Sequence, residues 1–155
     1  LHGPDAEEGI LRTARLDRSG LEELAAGMCG LLAPGFAFLL EGGLGAGKST
    51  FARALLRAAG VEGAIPSPSF VVDAVYRVGG LVVHHIDLFR LDGDPSTLEE
   101  YGVLDALDSG DAALVEWAEK LPPGAAAGGI RVILSFTGDP DSREVSIEPF
   151  GDPRR

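Results

Sequence analysis

The chain has 155 residues, the size of a single domain, and at that length about 68–70% of the unfolded surface can be buried without disulfide or metal staples. Its net charge of -11, from 13 Lys and Arg against 24 Asp and Glu, argues against a protein that grips nucleic acid or anionic lipid by itself, since such contacts rest on neutralising phosphates. One cysteine excludes a disulfide framework, and no apolar run approaches the ~18 residues of a spanning helix, so a reducing, cytoplasmic setting is expected.

No secretory leader is expected, and a start at Leu1 without Met leaves room for preceding residues. Residues 1–9 read as loose, as do 151–155. Ile10 to Leu16 reads as a first strand. Ser19 with Glu22 has the spacing of a capping box, followed by Leu21, Leu24, Ala25, Met28 and Leu32 at helical spacing, with Pro34 and Gly35 as the stop. Phe36 to Leu40 is a continuous apolar run, the mark of a strand buried on both faces. After a Gly-rich turn, Phe51, Ala52, Leu55, Leu56 and Ala59 form a helical stripe that Gly60 closes.

Pro66 and Pro68 make the stretch up to Phe70 a loop. Val71 to Val78 and Leu81 to Ile86 read as strands of a hairpin turning at Gly79-Gly80. Asp94 and Pro95 open a short helix to Tyr101, and a second follows around Val103 to Leu107. Ala112 to Val115 is another buried strand. Ile130 to Phe136 and Val145 to Phe150 make a closing pair. The expected fold is a single α/β domain over residues 1–155, with a central mixed, partly parallel sheet flanked by helices.

Gly42-Gly43-Leu44-Gly45-Ala46-Gly47-Lys48-Ser49 matches the phosphate loop G-x-x-x-x-G-K-[ST], which makes this a P-loop NTPase domain. Its context is the required one, a buried strand before and an amphipathic helix after. Glycines allow backbone N–H groups from Gly43, Leu44, Gly45, Ala46 and Gly47 to line an anion nest. The helix start adds its positive end. Lys48 brings an ammonium to the β/γ oxygens, Ser49 a hydroxyl to Mg²⁺, and Thr50 reaches toward the α-phosphate. The chain has 11 Arg and only 2 Lys, so a Lys at this position is itself a signal.

A phosphate loop needs a nearby acid for Mg²⁺. Asp87, ending LVVHHID, and Glu116, ending AALVE, both fit; the residues alone leave open which holds metal and which orients water. Asn and Gln are absent. The Asn-Lys-x-Asp reader of guanine and the water-positioning Gln of small GTPases are therefore excluded, and ATP is favoured. His84 and His85 are neighbours on a strand, point to opposite faces, and do not make a metal site. Cys29 reads as a free thiol with no activating neighbour.

Four blocks in order give the chain a resemblance to the bacterial tRNA threonylcarbamoyladenosine biosynthesis ATPase family, TsaE. They are the loop from 42 to 50, Ser67-Pro68-Ser69-Phe70, His85-Ile86-Asp87-Leu88-Phe89-Arg90-Leu91, and Glu116-Trp117. The resemblance spans about Ile10 to Phe150. Gly43 stands where the family often has Asp, Ser49 and Ser69 where Thr is usual, and Phe89 where Tyr is usual.

The resemblance implies Ser49 and Glu116 as Mg²⁺ ligands, Asp87 as base or water-orienting acid, and Lys48 as the γ-phosphate contact. It places Ser67-Pro68-Ser69 in a mobile loop and Trp117 near the nucleotide. Ser19 and Arg143 would lie toward the adenine. It also implies action with the TsaB and TsaD proteins in threonylcarbamoylation of adenosine 37 of tRNA (t6A), resetting or licensing the transferase complex. ATP and Mg²⁺ are the implied cofactors. Turnover alone is expected to be slow, because no arginine finger is recognisable. A small P-loop kinase stands as one alternative, although the stretch after Asp87 is acidic and offers only Arg90 where a kinase lid usually carries several Arg; an ATP-dependent assembly switch without hydrolysis, the other, shares every one of these residues.

Overall fold

A computed structural model describes residues 12–154. The expectation of a loose stretch over 1–9, and the first residues of the strand expected from Ile10, lie outside the described residues, as does Arg155.

Seven strands form one mixed sheet. In chain order they are β1 (Arg12–Asp17), β2 (Phe36–Gly42), β3 (Asp73–Val78), β4 (Leu81–Asp87), β5 (Ala112–Glu116), β6 (Gly128–Phe136) and β7 (Ser142–Gly151). The spatial order is β1-β7-β6-β2-β5-β4-β3. The four central strands β6, β2, β5 and β4 are parallel. Their carboxyl ends therefore share one edge, where open α/β sheets hold their ligands. Antiparallel β7 and β1 close one side and β3 the other.

The helices are α1 (Arg18–Gly27), α2 (Lys48–Ala59), α3 (Pro95–Glu100) and α4 (Val103–Asp108). The first two cover one face, where Phe38, Leu40, Leu114, Val132 and Leu134 pack on Leu21, Phe51, Leu55 and Leu56. The short pair covers part of the other, where Leu39, Ile86, Ala113 and Val115 meet Leu98, Val103 and Ala106. Both cores are drawn from the same central strands, whose side chains alternate between faces. That is why FAFLL and AALV are apolar without interruption.

Several boundaries differ from the sequence reading for physical reasons. The first helix is capped by Asp17, whose carboxylate accepts from Gly20 N at 2.7 Å; Ser19 lies inside the first turn. That helix stops at Gly27 and is followed by a single 3-10 turn, Cys29–Leu31, because Gly27 and Gly30 interrupt the helical stretch. The strand expected from Val71 begins at Asp73 instead. Val72 sits in the left-handed region at φ 68, with its N–H on Pro68 O at 2.7 Å and its carbonyl accepting from Asp87 N at 2.8 Å.

Gly79 and Gly80 both have positive φ at the hairpin turn. Gly129 is required where β6 passes β2: a Cβ there would lie 1.9 Å from Ala37 O. At the carboxyl terminus, Gly151 is the last residue of β7 and residues 152–154 turn away from the sheet.

Candidate functional site

The phosphate loop connects the end of β2 to the start of α2. Gly47 caps that helix with φ 116, and a Cβ there would press on Leu21 Cδ2 at 2.9 Å. Glycine is thus demanded by both backbone and neighbour. Gly43, the position where Asp was expected, faces the Phe136 ring; a Cβ would lie 3.2 Å from it. A longer side chain at 43 would have to displace that ring.

Lys48 is 5% exposed. Its ammonium donates to the carbonyls of Gly42 and Gly43, the latter at 2.8 Å, and stands 3.9 Å from the centre of the Trp117 ring. Burial lowers its pKa, while the carboxylates of Glu119, Glu116 and Asp87 oppose the shift. Trp117 reaches this place because it takes the left-handed conformation, φ 60, directly after β5.

Asp87 and Glu116 are register partners at the ends of parallel β4 and β5. Both are buried, at 3% and 2% exposure. Glu116 Oε1 accepts from Ser49 Oγ at 2.7 Å, and its Oε2 is 2.7 Å from His85 Nε2. Asp87 Oδ2 accepts from Ser69 Oγ at 2.7 Å and Ser67 Oγ at 3.2 Å, while Oδ1 accepts from Phe89 N at 2.9 Å. The Ser67-Pro68-Ser69 loop is therefore tied to the acid by two hydroxyls, and Phe70 beyond it is 81% exposed.

These groups line one cavity of about 330 Å³, walled by Leu44 to Thr50, Ser67, Ser69, Asp87, Phe89, Glu116 and Trp117. A second crevice of about 430 Å³ lies on the other side of the loop. Asp17, Arg18, Ser19, Asp141 and Arg143 line it, and it shares Gly45, Ala46, Gly47 and Thr50 with the first. The two thus lie on either side of a common wall, with Ser19 and Arg143 on the crevice away from the acids.

The guanidinium of Arg143 is already engaged. It donates to Pro140 O and Ser142 O, both at 2.8 Å, and to Gly45 O at 3.3 Å. Arg90 stacks on Phe70 at 4.0 Å. Among the described residues, Lys48 is the one cation in the wall of the 330 Å³ cavity.

The donor set suits Mg²⁺. Ser49 and Glu116 present a hydroxyl and a carboxylate 2.7 Å apart, and Mg²⁺ is usually held by one or two carboxylates together with phosphate oxygens and waters. Among the described residues no three His, Cys, Asp or Glu gather as a metal cage.

Two contributors were not singled out from the sequence. Lys120 donates to three carbonyls, Leu88 O at 3.1 Å, Phe89 O at 2.9 Å and Leu91 O at 2.8 Å, and so clamps the turn after Asp87. Its being the second of only 2 lysines was the available signal. Glu119 stands close enough to Lys48 to act on its charge, and burial first, then the Glu41 carboxylate, raises its pKa. His84, on the opposite face from His85, is only 13% exposed and spans Asp73 Oδ2 at 2.7 Å and Asp111 Oδ2 at 3.0 Å.

The family model of threonylcarbamoyl adenosine biosynthesis protein TsaE matches residues 16–145. The tRNA threonylcarbamoyladenosine biosynthesis protein TsaE of Haemophilus influenzae is 40% identical over 81 residues, 52% of this chain and 51% of that protein. The match thus spans about half the length of that relative. The protein of the same name from Bacillus subtilis is 30% identical over 118 residues, covering 76% of this chain and 72% of its own. The one from Nostoc is 35% identical over 122 residues, covering 77% and 74%. Among solved structures, Bacillus subtilis YdiB superposes with a TM-score of 0.67 at 27% identity, over 92% of this chain and 87% of that one.

Proposed function

The chain belongs to the TsaE family, and on that premise we propose that it is a Mg²⁺-dependent P-loop ATPase acting with TsaB and TsaD in t6A formation on tRNA. The observation that carries the reading is the convergence of Lys48, Ser49, Asp87 and Glu116 on one cavity at the carboxyl edge of the parallel strands.

In this reading the loop from Gly43 to Gly47 and the first turn of α2 hold the phosphates through backbone N–H groups. Lys48 exchanges its two carbonyls for β/γ-phosphate oxygens. Ser49 and Glu116 hold Mg²⁺, which when bound neutralises charge on those phosphates. Asp87 orients the attacking water and takes its proton, releasing Ser67 and Ser69 as it does so. The nucleoside lies across the loop beside Ser19 and Arg143.

Because Lys48 is the one cation among the described residues of the cavity wall and Arg90 and Arg143 are engaged elsewhere, charge developing in the transition state is under-compensated. Hydrolysis by the chain alone is accordingly slow, and a partner accelerates it.

The test is phosphate release from Mg-ATP by the chain alone and then with purified TsaB and TsaD. Slow release that rises sharply with the pair is the expected result. Clear ATP binding with no response to the pair would overturn the partner assignment. A phosphorylated product in a screen of nucleosides and small alcohols would replace the ATPase with a kinase.

A further inference from the structure

We infer that His85 is a positioning residue that fixes the carboxylate of Glu116 for metal and nucleotide, an inference that rests on the ATPase reading above. Along β4, side chains alternate, so Val83, His85 and Asp87 share the face that looks toward α2. In the parallel register His85 pairs with Leu114 and Asp87 with Glu116. His85 thus lies one step behind the acids, on their own side of the sheet.

The imidazole is fully buried, at 0% exposure, and Glu116 is 2% exposed. A buried ionised carboxylate needs donors on its oxygens. Ser49 supplies one on Oε1 and His85 Nε2 the other on Oε2, each at 2.7 Å. With Glu116 accepting as a carboxylate, this bond calls for the Nε2–H tautomer of His85. His85 Nδ1 has no partner, so the ring's polar connection, among the described residues, runs to Glu116 alone.

The two donors are not equivalent. Ser49 is itself assigned to the metal, so its bond to Oε1 competes with the function of both groups. The bond from His85 is free of that competition. It holds the plane of the carboxylate while Oε1 and Ser49 are recruited. Outer donors of this kind fix the orientation of ligating groups, and their loss costs ~10–100-fold in metal affinity.

The side-chain geometry supplies a discriminating test. The amide nitrogen of Gln overlays His Nε2, whereas that of Asn overlays Nδ1. Calorimetric titration of ATP is done in EDTA and over a Mg²⁺ series, with thermal unfolding alongside, for wild type, His85→Ala, His85→Gln and His85→Asn. Binding in EDTA should be unchanged. The Mg²⁺ concentration giving half of the added affinity should rise ~10–100-fold in His85→Ala and His85→Asn, and His85→Gln should stay near wild type.

A folded His85→Ala or His85→Asn protein with wild-type Mg²⁺ dependence would overturn the inference. So would His85→Gln performing no better than His85→Asn, the comparison that decides if His85→Ala does not fold. A wild-type protein whose ATP binding ignores Mg²⁺ would instead overturn the ATPase reading on which the inference rests.

Discussion

Replacing Lys48 by Ala should weaken ATP binding ~10–30-fold and leave the fold intact. The size follows from what the ammonium gains and gives up. A hydrogen bond to a charged group is worth ~1.5–3 kcal/mol, which by itself would predict about 10–150-fold at 1.4 kcal/mol per tenfold. In this structure, however, Lys48 holds Gly42 O and Gly43 O and faces the Trp117 ring. Those contacts are surrendered on binding, the ring alone being worth ~0.5–2 kcal/mol. The net loss falls toward the lower end.

Hydrolysis should fall further than affinity, because the charge that Lys48 offsets grows in the transition state. The unfolding midpoint should move little, since removing a buried ammonium relieves its desolvation while forfeiting its bonds. Calorimetry with Mg-ATP, phosphate release and a thermal melt read the three quantities. A variant that binds within about twofold of wild type, ~0.4 kcal/mol, would refute the assignment of Lys48 to the phosphates.

Asp87→Asn should leave nucleotide binding nearly unchanged and reduce phosphate release ~10²–10⁴-fold, the usual range for a general base; an unimpaired rate would remove Asp87 from the chemistry. His84 faces a carboxylate from each ring nitrogen, an arrangement that favours the protonated ring, which can donate from both. Burial opposes that charge, but the bonds to Asp111 and Asp73 outweigh it and raise the pKa. The stabilisation is therefore complete below the unfolded value of ~6.5 and is lost as pH rises through the folded one. Melts of wild type and His84→Asn should converge at alkaline pH, and a gap that stays constant from acid to alkaline pH would contradict this. Gly129→Ala should cost ~3 kcal/mol or more, because its Cβ would meet Ala37 O at 1.9 Å; denaturant unfolding measures it.

Much of this architecture was legible in the residues because it depends on local rules. The uninterrupted apolar runs at Phe36–Leu40 and Ala112–Val115 mark central parallel strands, and the phosphate loop carries its own spacing. The two acids could be named as strand-end residues, but their side-by-side placement needed the β4–β5 register, which no local pattern encodes. The same register hid the contact between His85 and Glu116.

The start of β3 was misread because Val71 and Val72 favour strands, yet tertiary bonds to Pro68 and Asp87 hold Val72 at positive φ. The resemblance pointed to Trp117, but its left-handed backbone, φ 60, is a conformation that an aromatic residue rarely adopts and that no local pattern announces. Ser19 looked like a cap because its spacing to Glu22 was right, but Asp17 lies nearer the true start of the helix and competes successfully for it.

The placement of Trp117 makes the site optically self-reporting. It is the chain's single tryptophan, with the Lys48 ammonium 3.9 Å from the ring and that of Lys120 at 5.6 Å. If Lys48 withdraws toward a phosphate as proposed, the field across the indole would change, and its emission would follow occupancy of the loop with no dye attached and no background from another indole. Stopped-flow traces of that signal can then time nucleotide entry separately from phosphate release.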